Sequence, residues 1–334
     1  MSKVVHHTPK VSIIVPVFRA EIYIERCIRT LFTQTLDDIE YIFVDDCSPD
    51  NSIDTILGIL EEYPERKPQV KIVRHKCNQG VAAARQHGME SATGDYIIHC
   101  DPDDWVEPTM YEELYQHALT RDTDMVWCDF YRETEYGQII EYQAIDSLTT
   151  DCLLGELCKG KIYGATWNKL IRRNILVKYN ITFIPLLNVC EDLWFFIQLL
   201  NKGITISHIN RPLYHYDFIS NPNSIIRKGL SNHIELDETQ IELANKLLCG
   251  ENKRIIIGGN LFHIFLIADL SNSEFKDRYK KYHRILYNNT GVPKDHLPFL
   301  WLALHGHFKM SQKLFYFFLN NKLRLRKWLK AKFH

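Results

Sequence analysis

Residues 95–104 read DYIIHCDPDD, a short apolar run that ends in a proline set among three carboxylates. The run predicts a buried strand. Towards the N-terminus the pattern recurs as VSIIVPV (11–17), IEYIFVD (39–45) and VKIVRH (70–75), with helical periodicity over 22–32, 52–62 and 82–91 between the strands. Continuous apolar strands alternating with amphipathic helices predict an α/β fold, a mostly parallel, Rossmann-like sheet covered on both faces. Ligands of such sheets bind beyond the carboxyl ends of the strands. Polar residues collect at those ends: Phe18 and Arg19 after the first strand, Asp45 and Asp46 after the second, Asn78 after the third, and Asp101 to Asp104 after the fourth.

Clustered carboxylates repel one another, and a divalent cation relieves the repulsion; oxygen ligands alone suit magnesium or manganese. The plainer alternative is a solvated turn with Asp104 capping a helix. Its position at a strand end favours the metal.

Beyond residue 130 the pattern loosens, with helices expected around 167–172 and 191–201 and a mainly helical region after 225. The greasy run 255–270 is broken by Gly258, Gly259, Asn260 and His263, and reads as a buried helix rather than a membrane span. The 334 residues suffice for one large or two modest domains. A formal net charge of -1 with 46% apolar residues gives no footprint for nucleic acid. Nine scattered cysteines without a CxxC pair read as reduced cytosolic thiols, and the polar N-terminus as free of a signal peptide.

IIVPVF (13–18), VDDCSPD (44–50), NQGVAAAR (78–85), DYIIHCDPDD (95–104) and EDLWF (191–195) stand in the order and approximate spacing of family 2 glycosyltransferases. This resemblance covers roughly residues 10–225. It implies a GT-A fold, a nucleotide-sugar donor held through Mn2+ or Mg2+, and four segments. These are an N-terminal tail (1–9), a nucleotide-sugar-binding half (10–130), an acceptor-binding half (131–225) and a helical C-terminal region (226–334).

Carried over residue by residue, the resemblance makes Pro16, Val17 and Phe18 a wall against the nucleobase, with Glu21 nearby. Simple strand termination is the alternative for Pro16 and Val17. Asp46 would accept a hydrogen bond from the base, a role suited to the imide N–H of uracil, and hence to a UDP-sugar; otherwise it caps a turn. Asn78, Gly80 and Arg85 would close over the nucleotide and sugar-phosphate, Gly80 by close backbone approach and Arg85 as a cation beside the phosphates. An exposed surface arginine is the alternative. Asp101 would touch the ribose or the metal shell, Asp103 would bind the metal directly, and Asp104 could brace the loop.

In the acidic pair Glu191 and Asp192, the resemblance makes Asp192 the general base that a sugar hydroxyl needs as nucleophile. Two acids also suit a helix N-terminus. One base without a partner nucleophile implies inversion by single displacement. Trp167 and Lys169 fall in WNKL, the acceptor-side segment, where Trp167 could stack on a sugar or fill a core. His215, in YHYD, could reach the metal or departing phosphate, or pack between its tyrosines. Ser220, Asn223 and Ser224 could form a flap.

Residues 308–334 hold eight Lys or Arg and no acid among leucines and aromatics. That composition suits a helix on an anionic cytoplasmic leaflet near a glycan or lipid-linked glycan acceptor, or a helix docked on the protein. The expected location is cytoplasmic, peripheral on the inner face of the membrane. A nucleotidyltransferase would not need the EDLWF pair, and a dehydrogenase would need GxGxxG where PVFRAE stands. A non-catalytic nucleotide- or glycan-binding protein would not need Asp101, Asp103 and Asp192 together.

Overall fold

All seven residues of β1 (Val11–Val17) are buried, as expected of a strand at the centre of a covered sheet. In the computed structural model, which describes residues 8–221, 234–287 and 291–332, β1 is flanked on both sides by parallel strands. β2 (Ile39–Asp45) pairs with it from Val11↔Ile39 to Val17↔Asp45. β4 (Tyr96–His99) pairs on the other side from Val11↔Tyr96, and β3 (Val70–Arg74) lies outside β2.

The remaining strands are β5 (Trp105–Val106), β6 (Met125–Thr134), β7 (Gly137–Glu141), β8 (Lys169–Arg172) and β9 (Ile206–Asp217). The sheet order is β3-β2-β1-β4-β8-β6-β9-β5, with β7 on β6. β8 runs antiparallel to both β4 and β6. The chain moves outward from β1 to β3 and then returns to the other side of β1 as β4. That reversal opens a crevice at the carboxyl ends of β1 and β4.

Helices connect the strands: α1 (Ile24–Phe32), α2 (Ser52–Leu60), α3 (Val81–Ser91), α4 (Met110–Arg121), α5 (Thr150–Cys158), α6 (Arg173–Tyr179) and α7 (Glu191–Leu200). α1 buries Ile24, Cys27, Ile28 and Leu31, one stripe at helical spacing. α3 lies so close to the sheet that a Cβ on Gly88 would stand 2.3 Å from Ile14 Cγ2. The helix expected at 167–172 is instead a turn leading into β8. Its apolar run is too short for periodicity to separate helix from strand, and the gap between β4 and β6 decides.

Two compact units divide the chain, 1–227 and 228–334. The second contains α8 (Ile234–Leu247), α9 (Gly250–Ile267), α10 (Asn272–Tyr279), α11 (Leu297–Leu302) and α12 (Phe308–Lys332). The broken run at 255–270 forms most of α9 and buries Ile255, Ile257, Leu261, Ile264 and Phe265. Ser271 and Glu274 close a capping box on α10. Among the described residues no helix is long and apolar enough to cross a membrane. All nine cysteines are free. Asn223, Ser224, most of the N-terminal tail and the side chains of residues 323–334 lie outside the described residues.

Candidate active site

The acidic turn after β4 is fixed from beneath. Asp104 is 1% exposed; its Oδ2 accepts the Tyr214 hydroxyl at 2.6 Å and its Oδ1 the Asp217 amide at 2.7 Å. The Asp101 amide in turn donates to the Tyr214 oxygen at 3.2 Å. β9 therefore clasps the turn, and Asp104 is its brace. Burial first, then Asp103 and Asp101, pushes the Asp104 carboxyl well above its ordinary range. On the outer side, the Arg26 guanidinium lies 3.4 Å above the Trp105 ring and donates to Asp217 Oδ2 at 2.5 Å.

Asp103 is free of that clasp. Asn221 donates to its Oδ2 at 2.8 Å, and burial followed by the charge of Asp101 raises its pKa to about 6. A carboxyl with elevated proton affinity is one that a cation would stabilise as the anion. Among the described residues no three His, Cys, Asp or Glu side chains form a ready-made ion cage. Asp101 and Asp103 can supply two hard oxygen ligands, which is the protein share common for magnesium held jointly with substrate phosphates.

Arg85 is the hub. It projects from α3, only 4% exposed, and donates through Nη1 to Glu191 Oε1 at 2.5 Å and Asp192 Oδ1 at 2.6 Å, and through Nη2 to Asp101 Oδ1 at 2.8 Å. Burial alone would pull its pKa down, yet the fields of Asp192, Asp101 and Glu191 outweigh burial and raise it. One guanidinium among three carboxylates leaves an excess of negative charge. Burial is the main reason that Asp192 rises to about 7; Glu191 and Asp101 add to the shift and Arg85 opposes it. The Thr166 amide donates to Asp192 Oδ2 at 3.3 Å. Glu191 and Asp192 open α7, where the N-terminal dipole favours acids.

Asp46 ties off the neighbouring loop. Its Oδ1 accepts the Gln79 amide at 2.7 Å and its Oδ2 the Gly80 amide at 2.8 Å, while the Asn78 side-chain amide donates to its carbonyl at 3.4 Å. Gly80 has φ +88°, a conformation that favours glycine, and a Cβ there would press on the Asn188 side chain at 2.3 Å. Pro16 and Val17 lie within β1, and Phe18 follows, 41% exposed. Glu21 accepts the Asn51 amide at 3.2 Å and its side-chain nitrogen at 2.9 Å, joining the loops after β1 and β2.

Three expectations change. His215 is buried, stacked between Trp105 and Tyr131, with Nδ1 2.8 Å from Glu133 Oε1 and Nε2 2.9 Å from Glu107 Oε1. Both ring nitrogens are engaged, so it has no lone pair turned to a metal. Arg85 is not the exposed surface arginine of the alternative reading, since its Nη1 and Nη2 meet carboxylates. Trp167 is 3% exposed and stacks on Tyr214 at 4.3 Å, filling the core instead of facing a sugar. Lys169 is buried beside it and spends its ammonium protons on the carbonyls of Tyr163 and Ala165, at 2.8 Å each, and on Asn168 Oδ1 at 2.7 Å. Burial lowers its pKa to about 7. It underpins the turn whose Thr166 amide reaches Asp192.

Tyr214, Asp217, Asn221, Asn188 and Thr166 belong to the site and escaped sequence reasoning. Only Tyr214 and Asp217 left a signal, as neighbours of His215 in YHYD.

A mixed sheet whose switch-point crevice joins an aspartate-x-aspartate turn to a second acidic pair has the GT-A architecture of nucleotide-sugar-dependent transferases. Residues 12–179 match the model of "Glycosyl transferase family 2", and the chain belongs to that family. EpsH of Bacillus subtilis is 36% identical over 216 residues, covering 63% of this chain and 61% of that relative's length. S. aureus TarS residues 1–349, solved with UDP-GlcNAc, superposes with a TM-score of 0.65 at 18% identity, covering 92% of this chain and 91% of that one. A Pyrobaculum calidifontis mannosyltransferase in complex with GDP-Man and Mn2+ gives a TM-score of 0.51 at 15% identity, covering 97% of this chain and 84% of that one.

Proposed function

We propose that the protein is an inverting glycosyltransferase that moves a hexosyl or N-acetylhexosaminyl group from a UDP-sugar to a hydroxyl of a glycan or lipid-linked glycan. The carrying observation is that Asp101, from the turn after β4, and Asp192, from the start of α7, meet on one buried guanidinium. This joins the donor-side acids to a carboxylate poised near neutrality. Asp192 takes the proton of the acceptor hydroxyl while the acceptor oxygen attacks the anomeric carbon from the face opposite the diphosphate, whose bond to that carbon breaks to release UDP. Inversion follows from that single displacement. Phe18, exposed at the end of β1, offers an apolar face to the base, and Asn78 and Gly80 line the same edge. Asp101 and Asp103 would hold Mn2+ or Mg2+, which would neutralise the leaving diphosphate. TarS with UDP-GlcNAc supports the uridine donor, and the mannosyltransferase with Mn2+ supports the ion.

The direct test is a screen of nucleotide-sugars for metal-dependent release of free nucleotide. UDP release is expected with Mn2+ or Mg2+ and not with chelator. Asp103→Ala is expected to abolish release and weaken donor binding, because the ion loses a direct ligand; full activity of that variant in chelator would remove the metal from the reading.

The acceptor side of the proposal includes a membrane surface. α12 leaves Met310, Leu314 and Phe317 exposed, a stripe at helical spacing, and its segment carries eight Lys or Arg and no acid. Each basic residue near an anionic leaflet contributes about 1 kcal/mol, and salt screens it. Intact protein is expected to co-sediment with anionic vesicles at low salt, less so at high salt or with neutral vesicles. Equal partitioning of a Leu314→Glu, Phe317→Glu variant would refute the contact.

A further inference from the structure

His75 and His87 were passed over in the sequence, yet they extend the Asp46 clasp into a continuous chain. His75 Nδ1 lies 2.7 Å from Asp46 Oδ1, and both side chains are almost wholly buried, at 3% and 4% exposure. His87 Nδ1, from α3, lies 2.6 Å from His75 Nε2, and the rings meet edge to face at 4.6 Å. His87 lines an open recess of about 600 Å³ with Arg74, Lys76, Gln79 and Glu90. The chain thus runs from that recess to the carboxylate that fixes Gln79 and Gly80.

We propose that His75 is a positioning residue for nucleotide binding, and that His75 and His87 form a proton relay that makes UDP affinity depend on pH. The proposal rests on the reading of this crevice as a UDP-sugar site. Asp46 also receives two backbone N–H groups, so its carboxylate acts here as an acceptor and His75 Nδ1 carries a proton. With both rings neutral, His75 Nε2 must accept and His87 Nδ1 must donate. One further proton fits on the ring pair without breaking a bond. A second would set N–H against N–H between the rings.

The bound proton places a positive charge against Asp46 and weakens that carboxylate as an acceptor for the base N–H. The groups around the pair are Asp45 and Asp46 at the end of β2, Arg74, Lys76 and Cys77 around His75, and Arg85 and Glu90 on α3. UDP affinity is therefore expected to fall when the pair takes up that proton, and is compared between about pH 8 and about pH 5.5.

Calorimetric titration of the full chain with UDP across that interval tests the relay. His75→Phe should bind UDP about tenfold more weakly at the upper pH, as for loss of a hydrogen bond to a charged group, with kcat at saturating donor nearly unchanged. His75→Asn restores a donor at the Nδ1 position without a titrating ring; it should recover most of the affinity and lose the pH response. His87→Leu should keep the affinity at the upper pH and shift the response to lower pH. Wild-type affinity in His75→Phe, or an undiminished pH response in His75→Asn, would overturn the proposal. Nitrogen-15 shifts of the two rings judge the relay without nucleotide: the Nδ1-protonated tautomer is expected on both at the upper pH, and the Nε2 tautomer at His75 would refute it. Absence of UDP binding to the wild type, with those tautomers present, would instead remove the donor assignment.

Discussion

Asp192→Asn is expected to lower kcat by on the order of 100-fold or more while UDP affinity stays near the wild-type value. Asparagine preserves the shape of the side chain and can keep an oxygen towards Arg85 Nη1 or the Thr166 amide, but it cannot accept the proton of an acceptor hydroxyl. The wild-type pH profile carries the same information. Asp192 is a base only when ionised, and its pKa is raised to about 7 chiefly by burial. In the free enzyme kcat/KM should therefore rise with pH up to about 7 and level off above it, and the asparagine variant should lose that limb. Steady-state rates against pH, paired with UDP titrations of both proteins, check the assignment. If UDP affinity collapses while turnover at saturation survives, Asp192 serves binding and the base lies elsewhere.

Arg85→Met should produce the largest loss of stability of any single substitution in the crevice. Methionine fills much of the volume but leaves Asp101, Glu191 and Asp192 facing one another without the cation they share. Breaking a buried ion pair from one side costs about 3–5 kcal/mol. The sign of the pH effect distinguishes this cause from a packing defect. Without Arg85 the folded carboxylates hold their protons to higher pH than they do in the unfolded chain. The folded state then binds more protons, and its stability falls as pH rises through the shifted values. The deficit against wild type should be larger at about pH 8 than at about pH 5, read from urea denaturation at both. Arg85→Lys keeps the charge but not the fork that reaches three acids, and should fall between the two. A deficit independent of pH would show that volume, and not charge, is what Arg85 supplies.

Arg85 also shows where sequence reading stops. Its residue type and its place in NQGVAAAR were legible, and so was the acidity of both partner segments. The contact itself was not, because Glu191 and Asp192 come from a segment more than a hundred residues away, brought in by the return of the chain through β8. The four parallel strands were legible from their apolar runs, since a strand buried on both faces has little freedom in composition. KLIR (169–172) was not, because four residues suit a helical turn as well as the strand that fills the space between β4 and β6. His215 had ambiguous chemistry: imidazole binds metals and carboxylates alike. Glu133 and Glu107, which settle its partners, stand 82 and 108 residues earlier. Asp104 as a brace came only with the resemblance, because Tyr214 and Asp217, which it holds, stand 110 and 113 residues later.

The sharing of Arg85 also bears on chimaeras, where acceptor loops are exchanged among relatives to change what is glycosylated. By chain order Glu191 and Asp192 belong with the half expected to bind acceptor, but electrostatically they are inseparable from α3 and the β4 turn. A graft that ends before residue 191 carries the recipient's own four interlocking charges intact. One that runs through 191–192 imports two acids tuned to another protein's arginine, and its failures would look like poor acceptor choice when the fault is a misfitted joint.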